Sequence, residues 1–184
     1  MKWRHKISSG SSQGFTLVEL IVTVTVLAII IAIAMPSILT QLTRMEANRV
    51  KSQLENTLSL AKAESYISRQ DIIVCLSKNE KRCHKDGDKT LLAFVDKNGN
   101  QRFNPKVDTL ITKQALNLKY STVKLRASNR HYTKFWGDSG KPRGHFGHIK
   151  YCPTSPYNES MYQISFNQAG IVRYKPNADH PTDC

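Results

Sequence analysis

The stretch Gly14-Phe15-Thr16-Leu17-Val18-Glu19 stands between a short basic leader and a long apolar run. From Phe15 to Met35 the sequence contains one charged side chain, that of Glu19. A run of about 20 apolar residues is long enough to cross the ~30 Å hydrocarbon core of a bilayer as a helix. A carboxylate carried into a bilayer costs roughly 2.5–3.5 kcal/mol on insertion scales, so its presence indicates a use. An α-amino group created at Phe15, on this chain or a neighbouring one, would be a natural partner for it.

This arrangement resembles the type III leader of type IV prepilins and of type II secretion pseudopilins. The resemblance implies that a prepilin peptidase cleaves after Gly14, that Phe15 is N-methylated, and that Glu19 docks the subunit into a filament. It also implies assembly with other minor and major pilins through an inner-membrane assembly platform. On this interpretation residues 1–14 form the leader peptide, and residues 15–36 form a helix that serves in the membrane and then in the filament core.

An ordinary secretory signal is the competing interpretation of the same segment. The leader is basic, residues 21–31 are apolar, and Ala32-Ile33-Ala34 imitates a signal-peptidase site. The length of the segment before the apolar run, the position of Glu19 and the length of the run favour the prepilin interpretation. The basic leader predicts a cytoplasmic N-terminus. We therefore expect a single-pass protein of the bacterial inner membrane with a periplasmic C-terminal domain, which later enters a pilus or pseudopilus.

An amphipathic helix is predicted for residues 37–70. Apolar residues recur there at steps of three or four, and polar residues such as Glu46 lie between them on an expected solvent-facing side. The predicted fold class is α+β, in which one long N-terminal helix packs on an antiparallel β-sheet in a globular domain of residues 71–184. Short β-branched or aromatic runs bounded by polar turns predict strands at residues 72–76, 91–95, 109–112, 116–120, 123–126, 149–152, 161–166 and 171–174.

Two connections have distinctive turn chemistry. Asn98-Gly99 is a pair that suits a type I′ hairpin turn, so a tight turn is predicted after the strand at 91–95. Residues 129–147 contain four glycines and a proline, which predicts a long mobile loop.

Several stretches of the domain resemble the GspH/FimT family of minor pilins and pseudopilins. They are the Leu-Ala-Lys-Ala-Glu-Ser sequence at 60–65, the strand that ends at Cys75, the Phe-Val-Asp-Lys-Asn-Gly-Asn turn at 94–100 and the strand pair at 166–173. The resemblance covers nearly the whole chain except residues 129–147, which would be an insertion. It implies the pilin fold and a minor type IV pilin, with a type II secretion pseudopilin of the GspH type as an alternative.

Four cysteines lie in the part of the chain that is expected to be exported, which fits an oxidising periplasm. Four cysteines allow three connectivities. We favour Cys75–Cys83 and Cys152–Cys184, because the first pair closes a short loop and the second would pin the C-terminal tail. A zinc site is not favoured, since the sequence has no C-x-x-C pair.

The chain carries a net charge of +13, and the excess is concentrated. Between Lys97 and Lys150 there are twelve lysines and arginines but only two acids, Asp108 and Asp138. Such a block attracts polyanions such as nucleic acids by an electrostatic interaction that weakens with salt and does not depend on the nucleotide sequence. A solvated face, or a match for an acidic neighbouring subunit, is an equally simple interpretation.

DNA binding is the second functional hypothesis. Gly170-Ile171-Val172-Arg173 resembles the Gly-Arg-x-Arg element that is implicated in gripping DNA in some family members, although Ile171 replaces the first arginine. The resemblance makes Gly170 and Arg173 candidates. Clustered cations suffice for phosphate, so Lys150, Lys175 and Arg143 would add to the site if the fold brought them together. Aromatic side chains that would add stacking are Phe135, Trp136, Tyr151 and Tyr174.

No spacing in the sequence predicts an enzyme, a cofactor or a metal site. The histidines and acids form no triad or metalloprotease motif, and His145-x-x-His148 has no nearby carboxylate. Asp96, Asn98 and Asn100 imitate the opening of a calcium loop, but Gln101 and Val107 stand where Gly and a closing Glu are needed.

Overall fold

The structure is a computed structural model that describes residues 14–87, 89–154 and 158–184. Residues 1–13, which hold the basic part of the predicted leader, lie outside the described residues. The chain divides into two compact units, Met1–Leu39 and Thr40–Cys184. Its elements in chain order are α1 (Leu17–Ser68), β1 (Ile72–Ser77), β2 (Cys83–His84), β3 (Asp86–Gly87), β4 (Thr90–Val95), β5 (Thr109–Ala115), β6 (Ser121–Ala127), β7 (Thr133–Phe135), β8 (Gly147–Pro153), a 3₁₀ helix (Asn158–Ser160), β9 (Tyr162–Phe166) and β10 (Val172–Pro176).

Helix α1 begins with a polar cap and ends in a left-handed residue. The hydroxyl of Thr16 accepts a hydrogen bond from the backbone N–H of Glu19 at 3.2 Å. This is half of the Ser/Thr-x-x-Glu capping box, which satisfies amides that have no partner inside the helix. Arg69, just after the last helical residue, has a φ of 57°, a conformation that commonly terminates helices.

The first unit contains the apolar part of α1. Its large apolar side chains are exposed, and by length and composition α1 is able to cross a membrane. An apolar surface with no partner inside the chain must be covered by lipid or by another chain. Pro36 lies inside α1 rather than at its end.

In the second unit, α1 lies against two antiparallel sheets. The first has the strand order β2-β1-β4-β5, with β7 also paired to β1. The second has the order β10-β9-β8-β6-β3. The core between them contains the apolar stripe of α1, including fully buried Val50, Leu54 and Leu58. Burial of each such side chain contributes about 1.5–3 kcal/mol. The α+β prediction is therefore confirmed, although the domain has two sheets where the sequence predicted one.

Strands β1 and β4 are buried along their whole length, which explains their unbroken apolar sequences. Their inner side chains join the main core, and Ile73, Leu92 and Phe94 form a second cluster on the opposite face. Phe103 and Tyr132, from two long connections, cover that second cluster.

The predicted tight turn at Asn98-Gly99 is wrong. Val95 pairs with Thr109, so β4 and β5 are joined by residues 96–108. Gly99 has a positive φ and Asn98 does not, whereas a type I′ turn needs both. The carboxylate of Asp108 accepts the backbone N–H groups of Lys97 and Asn104, so the loop satisfies its own amides without a hairpin.

The prediction of a mobile loop at residues 129–147 is also wrong. The segment contributes β7, which pairs with β1 and buries Phe135 completely. Its glycines allow close packing: a Cβ on Gly137 would lie 2.4 Å from the carbonyl carbon of Arg69, and one on Gly147 would lie 1.9 Å from the carbonyl oxygen of Arg126.

The predicted strand at residues 116–120 is absent, because β5 already covers Thr109–Ala115 and the chain turns away after it. The backbone at Lys119 and Tyr120 bonds to a side chain of α1 instead of to a strand. The acceptor is the carboxylate of Glu46, with N–H to O distances of 2.7 Å from Lys119 and 3.2 Å from Tyr120.

Glu46 is buried, which contradicts the solvent-facing position expected for it. Its carboxylate accepts two further hydrogen bonds, from the hydroxyl of Ser121 at 2.5 Å and from that of Tyr151 at 3.2 Å. Burial, together with the negative charge of Glu46, raises the pKa of the Tyr151 hydroxyl and keeps it protonated as a donor. A buried carboxylate is tolerated only with this degree of compensation.

We predict that Glu46→Gln destabilises the domain by about 2–4 kcal/mol, because an amide NH₂ group replaces an acceptor that faces four donors. Thermal and denaturant unfolding of the full chain in detergent, followed by circular dichroism, measures the effect. Glu55→Gln on the same helix removes the same charge at a half-buried position and serves as the control. Equal stability of the two variants would contradict a structural role for Glu46.

Candidate functional site

The residues predicted for N-terminal processing and assembly lie at and just before the exposed start of α1. Phe15 is 75% exposed, and a Cβ on Gly14 would meet nothing within 4 Å. The carboxylate of Glu19 makes no hydrogen bond or ion pair within the described part of the chain, although its backbone N–H is capped by Thr16. The carboxylate is thus four residues along the chain from Phe15 and available to a group from outside the chain.

A second site comes from the register of the second sheet. Residues that pair across antiparallel strands point to the same side of the sheet. One row of pairs runs Lys124, Lys150, Gln163, Lys175 across β6, β8, β9 and β10. The next row on the same side runs Arg126, His148, Ser165, Arg173. We call the six basic members of these rows the cationic face: Lys124, Arg126, His148, Lys150, Arg173 and Lys175.

Alternation along each strand explains why these residues share a side. In β6 the neighbours Val123 and Leu125 are buried in the core, so Lys124 and Arg126 point outward. In β8 the buried neighbours are Ile149 and Tyr151. The apolar pattern that builds the core therefore also gathers the cations on the opposite surface.

The tail, residues 177–184, covers part of the cationic face. Cys152 is bonded to Cys184, which holds the tail against β8. The ammonium group of Lys124 donates to a main-chain oxygen of Cys184, and that of Lys150 donates to the carbonyl of Asp183 at 2.9 Å. The other disulfide joins Cys75 to Cys83, so both pairings are those that the sequence favoured.

The other basic residues of the cationic face differ in their partners. Arg126 forms an ion pair with Asp86 at 3.0 Å at the rim of the face. Arg173 and Lys175 take part in no ion pair within the described residues, and Arg173 is exposed. Partial burial lowers the pKa of His148, and the charges of Lys150, Arg126 and Lys175 lower it further.

The structure brings together three of the four candidate DNA-binding residues. Lys150, Arg173 and Lys175 lie on the cationic face, but Gly170 does not. With a φ of 73°, Gly170 lies in a turn where a Cβ would be 3.2 Å from the carbonyl oxygen of Gly140. Arg143 pairs with Asp138 in the segment between β7 and β8 rather than joining the face.

The aromatic side chains proposed for stacking with bases lie elsewhere. Tyr151 and Phe135 are fully buried. Trp136 is flanked by Lys134 and Arg143, and Tyr174 points to the other side of β10, where it contacts Lys51. Within the described residues the cationic face thus has no aromatic stacking platform.

The histidine pair His145-x-x-His148, which the sequence did not favour as a metal site, is split between two environments. His145 is buried beside Tyr132 and Trp136, whereas His148 lies on the cationic face. Burial lowers the pKa of His145 to about 4, helped by the charges of Arg130 and Lys134. Across residues 14–87, 89–154 and 158–184, no group of three or more His, Cys, Asp or Glu side chains is placed to hold a metal ion.

Comparisons with known proteins agree on both the start of the chain and its fold. Residues 10–35 match the model of the prokaryotic N-terminal methylation motif. The type IV minor pilin FimU of Pseudomonas aeruginosa superposes with a TM-score of 0.54 at 20% identity, over 78% of this chain and 93% of FimU. The chain has the pilin fold.

A second similar structure is that of a pseudopilin from a secretion system. The minor pseudopilin EpsH from the type 2 secretion system of Vibrio cholerae superposes with a TM-score of 0.52 at 11% identity, over 75% of this chain and 99% of EpsH. No curated protein sequence is significantly similar to this chain. At these sequence identities the similar structures establish the pilin fold. The methylation motif is the part of the similarity that is found in the amino-acid sequence.

Sequence reasoning missed two parts of these sites. It counted Lys124 and Arg126 in the basic block without placing them beside Lys150 and Arg173. The signal was present, because the sequence Thr-Val-Lys-Leu-Arg-Ala at 122–127 alternates and puts both cations on one side. It also missed the burial of Glu46, for which a single helix offers no signal.

We predict that the pKa of His148 lies below the ordinary histidine value and rises in Lys175→Gln, because one of the cations that disfavour its protonation is removed. Histidine NMR of the full chain in detergent across a pH series measures both values. Lys97→Gln, in the loop between β4 and β5, is the matched control and should leave the pKa unchanged. An unshifted His148 would contradict a clustered cationic face.

Proposed function

We propose that this chain is a minor type IV pilin that assembles through its N-terminal helix into a pilus or its priming complex. The observation that carries the proposal is an N-terminal methylation motif at the start of an exposed apolar helix, on a domain with the fold of FimU. In this function the chain is a structural subunit, not an enzyme.

The proposed path begins in the bacterial inner membrane with the globular domain in the periplasm. Prepilin peptidase cleaves after Gly14, and the new N-terminus at Phe15 is methylated. The apolar half of α1 then passes from lipid to the filament core, where other minor and major pilins cover the side chains that are exposed in the single chain. Glu19 pairs there with the positive N-terminal amine of a subunit, since a carboxylate in an apolar medium needs a partner.

A pseudopilin of the GspH type in a type II secretion system is the second candidate, and the likeness to EpsH favours it. The two functions share the leader, the helix and the domain. Deletion of the gene followed by complementation separates them: a minor pilin restores surface pili, whereas a pseudopilin restores protein secretion.

DNA binding by Lys150, Gly170, Arg173 and Lys175 is not favoured over assembly. Lys150, Arg173 and Lys175 share the cationic face, but Gly170 packs beside Gly140 instead, and the methylation motif and the fold support assembly. Competence and DNA uptake therefore form no part of the proposed function.

Gly14→Ala is expected to block maturation, because the peptidase must approach the backbone closely at the cleavage site, and a side chain at residue 14 would prevent this approach. The measurement is gel mobility of the chain in cells that express the peptidase, where the variant stays at the size of the precursor. Ser9→Ala in the same leader is the control and should be processed. Appearance of the mature band in Gly14→Ala would refute cleavage at this position.

Glu19→Gln is expected to leave membrane insertion intact and to reduce incorporation into sheared filaments by at least roughly tenfold, because a charged pair in an apolar medium is lost. Gln is also compatible with the last position of a capping box, so this variant removes the charge of Glu19 without changing the helix start. Thr16→Ala removes the cap and keeps the carboxylate, at a cost of about 1 kcal/mol in helix stability. If Thr16→Ala blocked assembly and Glu19→Gln did not, assembly would depend on the helix cap and not on the charge of Glu19.

A further inference from the structure

The cationic face is the largest chemical feature that membrane insertion and helix assembly leave unexplained. It collects six basic side chains on one side of four strands, and two of them, Arg173 and Lys175, have no ion-pair partner in the described residues. We propose that this face docks an extended acidic segment of a neighbouring, different pilin subunit. The inference rests on the proposed function, and it names the partner's chemistry.

The spacing of the cations suits an extended peptide. Alternate residues of a strand are about 6.8 Å apart and neighbouring strands about 4.8 Å apart. Arg173 and Lys175 therefore stand about one two-residue repeat apart along β10, and Lys150 and Lys175 stand two strands, about 10 Å, apart. An acidic segment that runs parallel to β10 with carboxylates at alternate positions has the same repeat, so two successive carboxylates can meet Arg173 and Lys175.

The tail already shows how this face holds a peptide. Lys124 and Lys150 bind main-chain oxygens of Cys184 and Asp183, so one end of the face is occupied by a chain segment. Arg173 and Lys175, which form no ion pair within the described residues, are left for a second segment, with His148 and the Asp86-paired Arg126 beside them.

A groove beside that open part gives the segment a place to anchor. It encloses about 560 Å³ between the ends of β6, β8 and β10, and its lining includes Lys85, Arg126, Arg130, Phe146 and Lys175. Phe146 is 40% exposed and supplies an apolar surface among the cations. An acidic segment that also carries an apolar side chain would fill both parts, which is the usual composition of a specific interface.

Charge decides which kind of subunit fits. The chain carries a net charge of +13, or +10 without the three basic residues of the leader, and therefore repels copies of itself, whereas an acidic surface is attracted and steered to the face. The observations favour protein over nucleic acid, since Lys124 and Lys150 already hold a peptide segment on this face. The two rows of paired residues also include no Phe, Tyr or Trp on which successive bases of a single strand could stack along the face.

The test uses the full chain in neutral detergent and a fluorescent ten-residue peptide of alternating Glu and Thr, with a Gln and Thr peptide as the uncharged probe. Fluorescence anisotropy across a salt series gives the affinity. Arg173→Gln with Lys175→Gln should weaken binding of the acidic peptide about tenfold or more, because two of the charge-assisted contacts are lost. Lys97→Gln with Lys106→Gln, an equal change of charge in the loop between β4 and β5, should weaken it less than about twofold.

Three results would overturn the proposal. One is no binding of the acidic peptide at low salt, and another is an equal loss in both double variants, which would mean attraction by net charge alone. The third is tighter binding of a ten-nucleotide single strand through Arg173 and Lys175, which would assign the face to nucleic acid.

Filament incorporation separates this inference from the function on which it rests. If the unmodified chain never enters filaments, the proposed function fails whatever the peptide does. If the unmodified chain enters and the Arg173→Gln, Lys175→Gln chain enters equally well, the docking inference fails and the pilin function stands. Reduced entry of that double variant, with normal processing and normal entry of the Lys97→Gln, Lys106→Gln chain, supports both.

Discussion

A buried carboxylate on α1 sets the geometry of the globular domain. Removing Glu46 from water is unfavourable unless its oxygens are fully bonded, and the donors come from the start of β6 and from Tyr151 of β8. The helix, β6 and β8 are thereby fixed to one another at one point. Lys124 follows the donor Ser121 by three residues and Lys150 precedes the donor Tyr151 by one, and both lysines lie on the other side of the sheet. A buried anion on the inside therefore positions cations on the outside.

Much of the fold follows from local pattern. The long helix and most of the strands are visible in the sequence because each depends on residues close together or on one period. The favoured cysteine pairing is also correct, although Cys152 and Cys184 lie 32 residues apart. What could not be predicted depends on distant groups. The turn after β4 is replaced by a loop because Asp108 supplies acceptors, and residues 129–147 are ordered because β1 has room for β7 on its free side. Glu46 looked exposed because its donors lie more than 70 residues away in the sequence.

The candidate sites divide in the same way. Gly14, Phe15 and Glu19 form a contiguous motif, so the sequence alone identifies them. The cationic face is assembled from four strands, and its membership depends on register, which composition does not give. Gly170 and Arg173 are close in sequence, yet the turn directs Gly170 toward α1 while Arg173 points to the outer side of the sheet. Proximity along the chain was therefore a poor guide to shared function there.

The bond between Cys152 and Cys184 has a mechanical consequence. Strand β10 is the edge of its sheet, and an edge strand is the element that a pulling force peels away first. Because the bond links the tail beyond β10 to β8, the last two strands lie inside a closed covalent loop. A force on Cys184 is carried through the bond to Cys152 in an interior strand, so the edge does not unzip one hydrogen bond at a time. A subunit of a filament that bears load would keep its outer surface intact under such a force.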